Sequence, residues 1–324
     1  MLPGGPAKQR RHRDGRIVEG TGHALRPTAE PGSFERCLPL HRRGMAGWAK
    51  KRVERAPCAT IIRIGSPRGA MPSAARLRVE TRDGVAVLWI DHPPRNALRL
   101  SMISDLASLT PNLEKDEAVR AVVVTGAGGR TFSSGLDVQE WATLPAKAAQ
   151  EWVTRGQDAL WALEHLTKPT VAAVSGQARG AGAELALACD IRIADETATF
   201  SHPEIDLGWM SSHGGTARLS KLVGRSRALE ILLTGKEVKA LDALRLGIVD
   251  HLSAPGQALD QATALAAAFA RKPRAAVKAI KRTLVEGDEK PYRNRFLLES
   301  QHAVQLLWTP DYKAAMEKAR PKRP

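Results

Sequence analysis

Between residues 121 and 194 short apolar runs alternate with helix-patterned segments, and glycine marks the joints between them. The runs at 121–125, 170–175 and 190–194 are of strand length. Between the first two, 146–166 keeps its apolar residues on one helical face until Pro169 ends it. Between the second and third, a glycine-punctuated turn at 176–182 feeds a helix of small residues at 183–188. Strand, helix and strand in succession predict an α/β core. Ahead of it, Leu77, Val79, Val85, Val87, Trp89 and Ile90 alternate about Asp83-Gly84, a hairpin signal. A loop, His92-Pro93-Pro94-Arg95-Asn96, then leads to a helix from about Ser101 with Ile103, Leu106 and Leu109 on one face. Beyond Gly214 the pattern is almost wholly helical, at 216–222, 225–233, 241–246, 257–270, 274–285, 291–307 and 310–318.

The 324 residues are enough for a sizeable core. Three cysteines (Cys37, Cys58 and Cys189) and the lack of any apolar run near the ~18 residues of a membrane span point to a reducing compartment, the cytoplasm, with no membrane partner. The net charge of +15 is unevenly placed: residues 1–70 carry 15 of the 49 Lys and Arg but 5 of the 34 Asp and Glu, so that segment alone is +10. Residues 1–70 also lack apolar periodicity. They are expected to be a basic tail, disordered in isolation, or a misassigned N-terminal extension with Met71 as the initiator. No apolar signal core starts the chain, and Asp14, Glu19 and Glu30 argue against an organelle presequence. The expected organisation is therefore tail 1–70, α/β core 71–254 and C-terminal helical region 255–324. Residues 71–324 should fold without the tail.

Several chemistries fail on spacing. No serine sits in G-x-S-x-G, no H-E-x-x-H occurs, and the nine histidines and three cysteines show no metal spacing, so no metal is expected. Gly126-Ala127-Gly128 would place the third glycine of a dinucleotide fingerprint on Thr131, and the match fails. Two stretches combine glycine with a following acid: Phe132-Ser133-Ser134-Gly135-Leu136-Asp137 and Gly180-Ala181-Gly182-Ala183-Glu184. Glycine turns that open helices leave backbone N–H groups unpaired, which an oxyanion hole requires, although close strand-helix packing would use the same residues. A third stretch, Ser201-His202-Pro203-Glu204-Ile205, sets another acid after a proline. Taken singly, each acid is more often a solvated side chain than a catalyst.

Taken in order along the chain, six motifs resemble the enoyl-CoA hydratase/isomerase, or crotonase, superfamily, and most of all an enoyl-CoA hydratase. They are His92-Pro93-Pro94-Arg95-Asn96-Ala97-Leu98, Val123-Val124-Thr125-Gly126-Ala127-Gly128, the stretch 132–137, the stretch 176–190, His202-Pro203-Glu204-Ile205 with Gly214-Gly215-Thr216, and Gly247-Ile248-Val249-Asp250. The resemblance runs from about Arg76 to near Met316. It implies a spiral of β-β-α turns with C-terminal helices that assemble a homotrimer or homohexamer. It implies an acyl-CoA thioester substrate and no separate cofactor, coenzyme A being part of the substrate. The backbone N–H groups of Leu136 and Ala181 would hold the thioester oxygen, provided that Ala181 keeps a negative φ. Glu184 and Glu204 would share one water, Glu184 activating it and Glu204 protonating Cα, two carboxyls whose pKa values are driven apart.

The same resemblance places Arg95, Ala97, Ser134, Gly135, Trp209 and Ser212 along the substrate, with Arg95 beside the CoA phosphates. Ser211-Ser212-His213 stands where many hydratases carry Pro-Gly-Ala, which leaves the water-holding contacts open. Leu136 is bulkier than the usual alanine and, with Trp141 and Trp209, should shape the acyl pocket, whereas Asp137 caps a helix and Asp206 is a helix-start or loop carboxylate rather than a further acid near the substrate. Other crotonase reactions, such as double-bond isomerisation or C–C hydrolysis, are the alternative within enzymes. A nucleic-acid-binding protein on the same frame is disfavoured, since the basic tail lacks interleaved aromatics for base stacking.

Overall fold

The computed structural model describes residues 75–319; the tail and its expected disorder lie outside the described residues. The hairpin forms as expected from β1 (Arg76–Arg82) and β2 (Val85–Asp91), with Asp83 (φ 50°) and Gly84 (φ 81°) in the left-handed region that a two-residue turn demands. After α1 (Leu100–Lys115) the chain repeats one unit three times: a longer strand, a short strand, then helix. The first unit is β3 (Ala121–Gly126), β4 (Thr131–Ser133), α2 (Val138–Ala142) and α3 (Ala146–Glu164). The second is β5 (Thr170–Val174), β6 (Gln177–Arg179) and α4 (Ala181–Leu187). The third is β7 (Ile191–Asp195), β8 (Thr199–Ser201), a 3₁₀ turn (Pro203–Leu207), α5 (Gly215–Val223) and α6 (Arg225–Thr234). There follow β9 (Val238–Lys239), α7 (Ala240–Leu246), β10 (His251–Ser253), α8 (Ala258–Ala270), α9 (Arg274–Gly287), α10 (Tyr292–Leu306) and α11 (Pro310–Ala319).

The longer strands make a six-stranded sheet in the order β1-β2-β3-β5-β7-β10, parallel apart from the hairpin. The short strands make a second sheet, β4-β6-β8-β9, in which only β9 runs antiparallel to its neighbour. This is the spiral of β-β-α turns that the resemblance implied. Several short strands depart from the sequence reading. β6 lies inside the segment taken as a simple turn, and β9 and β10 lie in the region taken as helical. Strands of two or three residues are too short to carry a period of two. Their pairing, Thr131 with Gln177 and Gln177 with Thr199, follows from the register of the longer strands just before them.

Every residue of β3 and β5 is buried because the main sheet is covered on both faces. Val122, Val124, Ala172 and Val174 face the larger core with α1 and α3, while their alternates Ala121, Val123, Val171 and Ala173 face α8. Of the expected C-terminal helical region, α8 thus lies on the sheet, through Ala258, Ala262 and Ala266, which are fully buried and four residues apart. Small side chains there let the helix axis come close to the strands. The parallel strands all end at one edge, where glycine turns lead into α2 and α4 and His202 leads into the 3₁₀ turn, and this edge is where open α/β sheets place ligands.

Ala262→Leu should overpack the α8 contact and lower stability by about 1–3 kcal/mol. Urea denaturation with the midpoint of the wild-type chain would show that α8 is not seated on the sheet.

Candidate active site

The loop entering α1 and the turn after β4 lie side by side. Ser134 N–H donates to Arg95 O (3.0 Å), Leu98 N–H to Gly135 O (2.7 Å), and Asp137 N–H to Leu98 O (2.9 Å). Buried Asn96 makes the pairing possible. It adopts φ 54°, which asparagine tolerates better than most residues, and its Nδ2 donates to Ala127 O (2.9 Å) and Thr131 O (2.8 Å). Arg95, Ala97, Ser134, Gly135 and Leu136 are thereby brought together, with the Arg95 side chain exposed. Asp137 caps α2 as expected, accepting from Gln139 N–H (3.1 Å) and Glu140 N–H (3.3 Å).

A second turn meets the first. Gly135 has φ 86°, and a Cβ on it would stand 2.6 Å from Arg179 O and 3.4 Å from Ala181 N. Only glycine permits both that φ and that approach. Ala181 opens α4, and among the described residues Asp83 and Asn96 are the non-glycine positions with positive φ, so Ala181 satisfies the stated condition. Neither Leu136 N–H nor Ala181 N–H donates to any acceptor among the described residues. Two adjacent backbone donors are therefore free.

Glu184 sits on the first turn of α4 and is 1% exposed. Its Oε1 accepts from His213 N–H (2.8 Å) and Gly215 N–H (2.9 Å), and its Oε2 lies 3.4 Å from His213 Nδ1. Burial alone would raise its pKa. The His213 ring and the two N–H donors outweigh burial and hold the carboxyl below the usual value. Glu204 lies on the first turn of the 3₁₀ segment, against Gly180: a Cβ on Gly180 would stand 2.8 Å from Glu204 Oε1. Glu204 Oε2 is buried without a hydrogen-bond partner among the described residues. Burial, reinforced by the charge on Glu184, pushes Glu204 up to about 7. The two carboxyls are unequal, one held ionised and the other able to carry a proton near neutrality.

Comparison with known proteins gives the family. The sequence profile described as enoyl-CoA hydratase/isomerase matches residues 80–322. The chain belongs to the enoyl-CoA hydratase/isomerase family. It is 34% identical to a short-chain-enoyl-CoA hydratase of Clostridium acetobutylicum over 239 residues, 74% of this chain and 92% of that one. It is 33% identical over 239 residues, again 74% and 92%, to a crotonyl-CoA hydratase of Syntrophomonas wolfei. The solved structure of Pseudomonas aeruginosa DspI superposes with a TM-score of 0.73 at 33% identity, covering 79% of this chain and all of that one.

Within this crotonase frame the remaining expected residues fall near the same edge. Trp209, 41% exposed, is tied by its N–H to Glu204 O (2.9 Å), and Ser212 O accepts from Gln157 Nε2 (2.8 Å) on α3. Sequence reasoning missed how the aromatic residues connect. The Trp209 ring packs on Trp141 (5.4 Å between centroids), Trp141 on Trp152 (5.2 Å), and Trp152 edge-on against the His213 ring (4.4 Å). His213 itself was read only as part of a departing segment. Its one signal in the sequence was a histidine between serine and two glycines, with nothing local to say that it reaches back to Glu184. His202 is a second buried histidine, with Nδ1 2.9 Å from Ser211 Oγ.

Gly180 combines φ 52° with the Glu204 contact. Gly180→Ala should cost about 1–3 kcal/mol of stability in backbone strain. A crystal structure of the variant should show the Glu204 carboxyl displaced, and an unmoved carboxyl would contradict the packing described.

Proposed function

We propose that the chain adds water across the 2,3 double bond of a 2-enoyl-CoA to give a 3-hydroxyacyl-CoA. The observation that carries this is the unequal pair of carboxyls, Glu184 buried and Glu204 half-buried, beside two backbone N–H groups unpaired among the described residues. The relatives named as hydratases support it. Hydration forms a C–O bond at Cβ and a C–H bond at Cα, so a base must take a proton from water while an acid delivers one to carbon. Glu184, held ionised, takes the proton from water. Glu204, protonated near neutral pH, delivers one to Cα. Negative charge grows on the thioester oxygen between these events, and the N–H groups of Leu136 and Ala181 stabilise it as fixed donors. Arg95 faces the CoA phosphates, with Ala97, Ser134 and Gly135 along the thioester, and Leu136, Trp209 and Ser212 border the acyl group.

The experiment is a screen of the purified chain on short, long and aromatic 2-enoyl-CoAs, following loss of the conjugated enoyl absorbance; no loss with any of them would remove the proposal. Glu184→Gln and Glu204→Gln should each lower turnover about 10²–10⁴-fold. The double variant should lose less than the product of the two, because both groups handle one water. Turnover should also fall as pH rises through about 7, where Glu204 loses the proton it must donate. It should fall again well below neutrality as Glu184 becomes protonated. A profile flat through pH 7 would contradict this division of roles.

We also propose that the active form is a homotrimer or homohexamer working in the cytoplasm. Among the described residues no helix is long and apolar enough to cross a membrane. Ile280 and Leu284 of α9, Phe296, Leu297 and Val304 of α10 and Met316 of α11 are exposed within the single chain. Such a run of apolar surface is covered by other copies of the chain. Leu284→Glu with Phe296→Glu should lower the mass found by light scattering to that of smaller species, and a wild-type monomer at micromolar concentration would overturn the proposal.

A further inference from the structure

The imidazole of His213 is more elaborately housed than a space-filling side chain requires. It is 1% exposed and stands edge-on to Trp152 at 4.4 Å between centroids. Room for it is made by Gly156 inside α3, where a Cβ would lie 2.1 Å from His213 Cδ2. A glycine inside a helix costs about 1 kcal/mol relative to alanine, so the space serves the ring. Arg218 Nη1, from α5, donates to His213 O (2.8 Å) and fixes the backbone from behind. From this seat the residue addresses both oxygens of one carboxylate: its N–H donates to Glu184 Oε1 at 2.8 Å, and Nδ1 stands 3.4 Å from Oε2. Nε2 is buried and has no partner among the described residues.

We propose that His213 is a positioning residue for Glu184, gripping its carboxylate by backbone N–H and by Nδ1–H so that Glu184 is turned toward the reacting water and kept in its proton-accepting form. The inference rests on the hydration reading and deepens it. A nitrogen facing a carboxylate oxygen must bring a hydrogen, since two lone pairs would repel, and the hydrogen therefore sits on Nδ1. At 3.4 Å the ring contact is longer than the 2.8 Å backbone one, so the N–H is the tighter of the two grips. The charged and titratable groups around Glu184 are few. His202 stands between β8 and the 3₁₀ turn that carries Glu204, Arg179 of β6 acts on Glu204, and Arg218 of α5 is already paired with Glu164 of α3 at 2.7 Å. His213 is the residue among these that touches Glu184 with a ring donor.

Two substitutions separate this role from packing. Asn carries a nitrogen donor as many bonds from its backbone as Nδ1, but leaves space beside Trp152; Leu fills the space and carries no donor. His213→Leu should lower kcat about 10- to 100-fold, the worth of a charge-assisted hydrogen bond, with KM for a 2-enoyl-CoA within about twofold. The acid limb of its kcat profile should move to higher pH. His213→Asn should recover most of the rate and return the limb toward the wild-type position. A packing role orders the two the other way, so Leu equal to or better than Asn, or an unmoved acid limb in the Leu variant, would overturn the proposal. Nitrogen-15 histidine spectra of the wild-type chain give a reading that does not depend on the variants' folding. The His213 ring should carry its hydrogen on Nδ1, and a ring protonated only on Nε2 would overturn the proposal. A wild-type chain inactive on every enoyl-CoA would remove the hydration reading and this inference together; an active wild type with an indifferent Leu variant would remove this inference alone.

Discussion

The carboxylate of Glu184 is a charge placed where solvent does not reach, and an unpaired charge there would cost several kcal/mol. Its partners all come from 213–215, a segment about 30 residues further along the chain that enters α5. Holding this charge therefore fixes α4 against the start of α5. Gly215 belongs to the same contact, since a Cβ on it would fall 2.8 Å from Glu184 Oε1. The Glu184 charge then acts across the site: together with burial it pushes the Glu204 carboxyl up to about 7. One buried ion thus ties α4 to the start of α5 and adds to the burial that makes the two acids unequal.

The frame beneath it is a parallel sheet whose strands end together. β3, β5 and β7 each lead into a short second-sheet strand and then into helix, so the turns that follow gather on one edge. Gly135 and Gly180 are the two positions where this gathering becomes a site. Both take a positive φ, one approaching Ala181 N and the other Glu204 Oε1, and the free N–H groups and the acid carboxyl meet because neither glycine carries a side chain.

Much of this was legible in the sequence. Continuous apolar runs marked β3 and β5 because a sheet covered on both faces leaves no polar alternation, and the helices beyond Gly214 kept a 3.6-residue period. The glycine stretches with Glu184 and Glu204 were visible as motifs. What could not be read locally were features decided by distant partners. β6, β8 and β9 are two or three residues long and exist only through their register with one another. Asn96 looked like a loop residue, yet it ties its loop to Ala127 and Thr131. His213 looked like a departure from a glycine pattern, yet it faces a carboxylate 29 residues earlier. In each case the signal is a contact between separate turns of the spiral.

The central claim is that two unequal acids place one water's oxygen on Cβ and a proton on Cα of a thioester held by backbone N–H groups. Running the reaction on a four-carbon 2-enoyl-CoA in D₂O, with nuclear magnetic resonance of the product, reads this outcome atom by atom. The account predicts a hydroxyl at Cβ and a single deuterium at Cα, delivered to one face. Deuterium at Cγ, or a shifted double bond with no hydroxyl at Cβ, would contradict it.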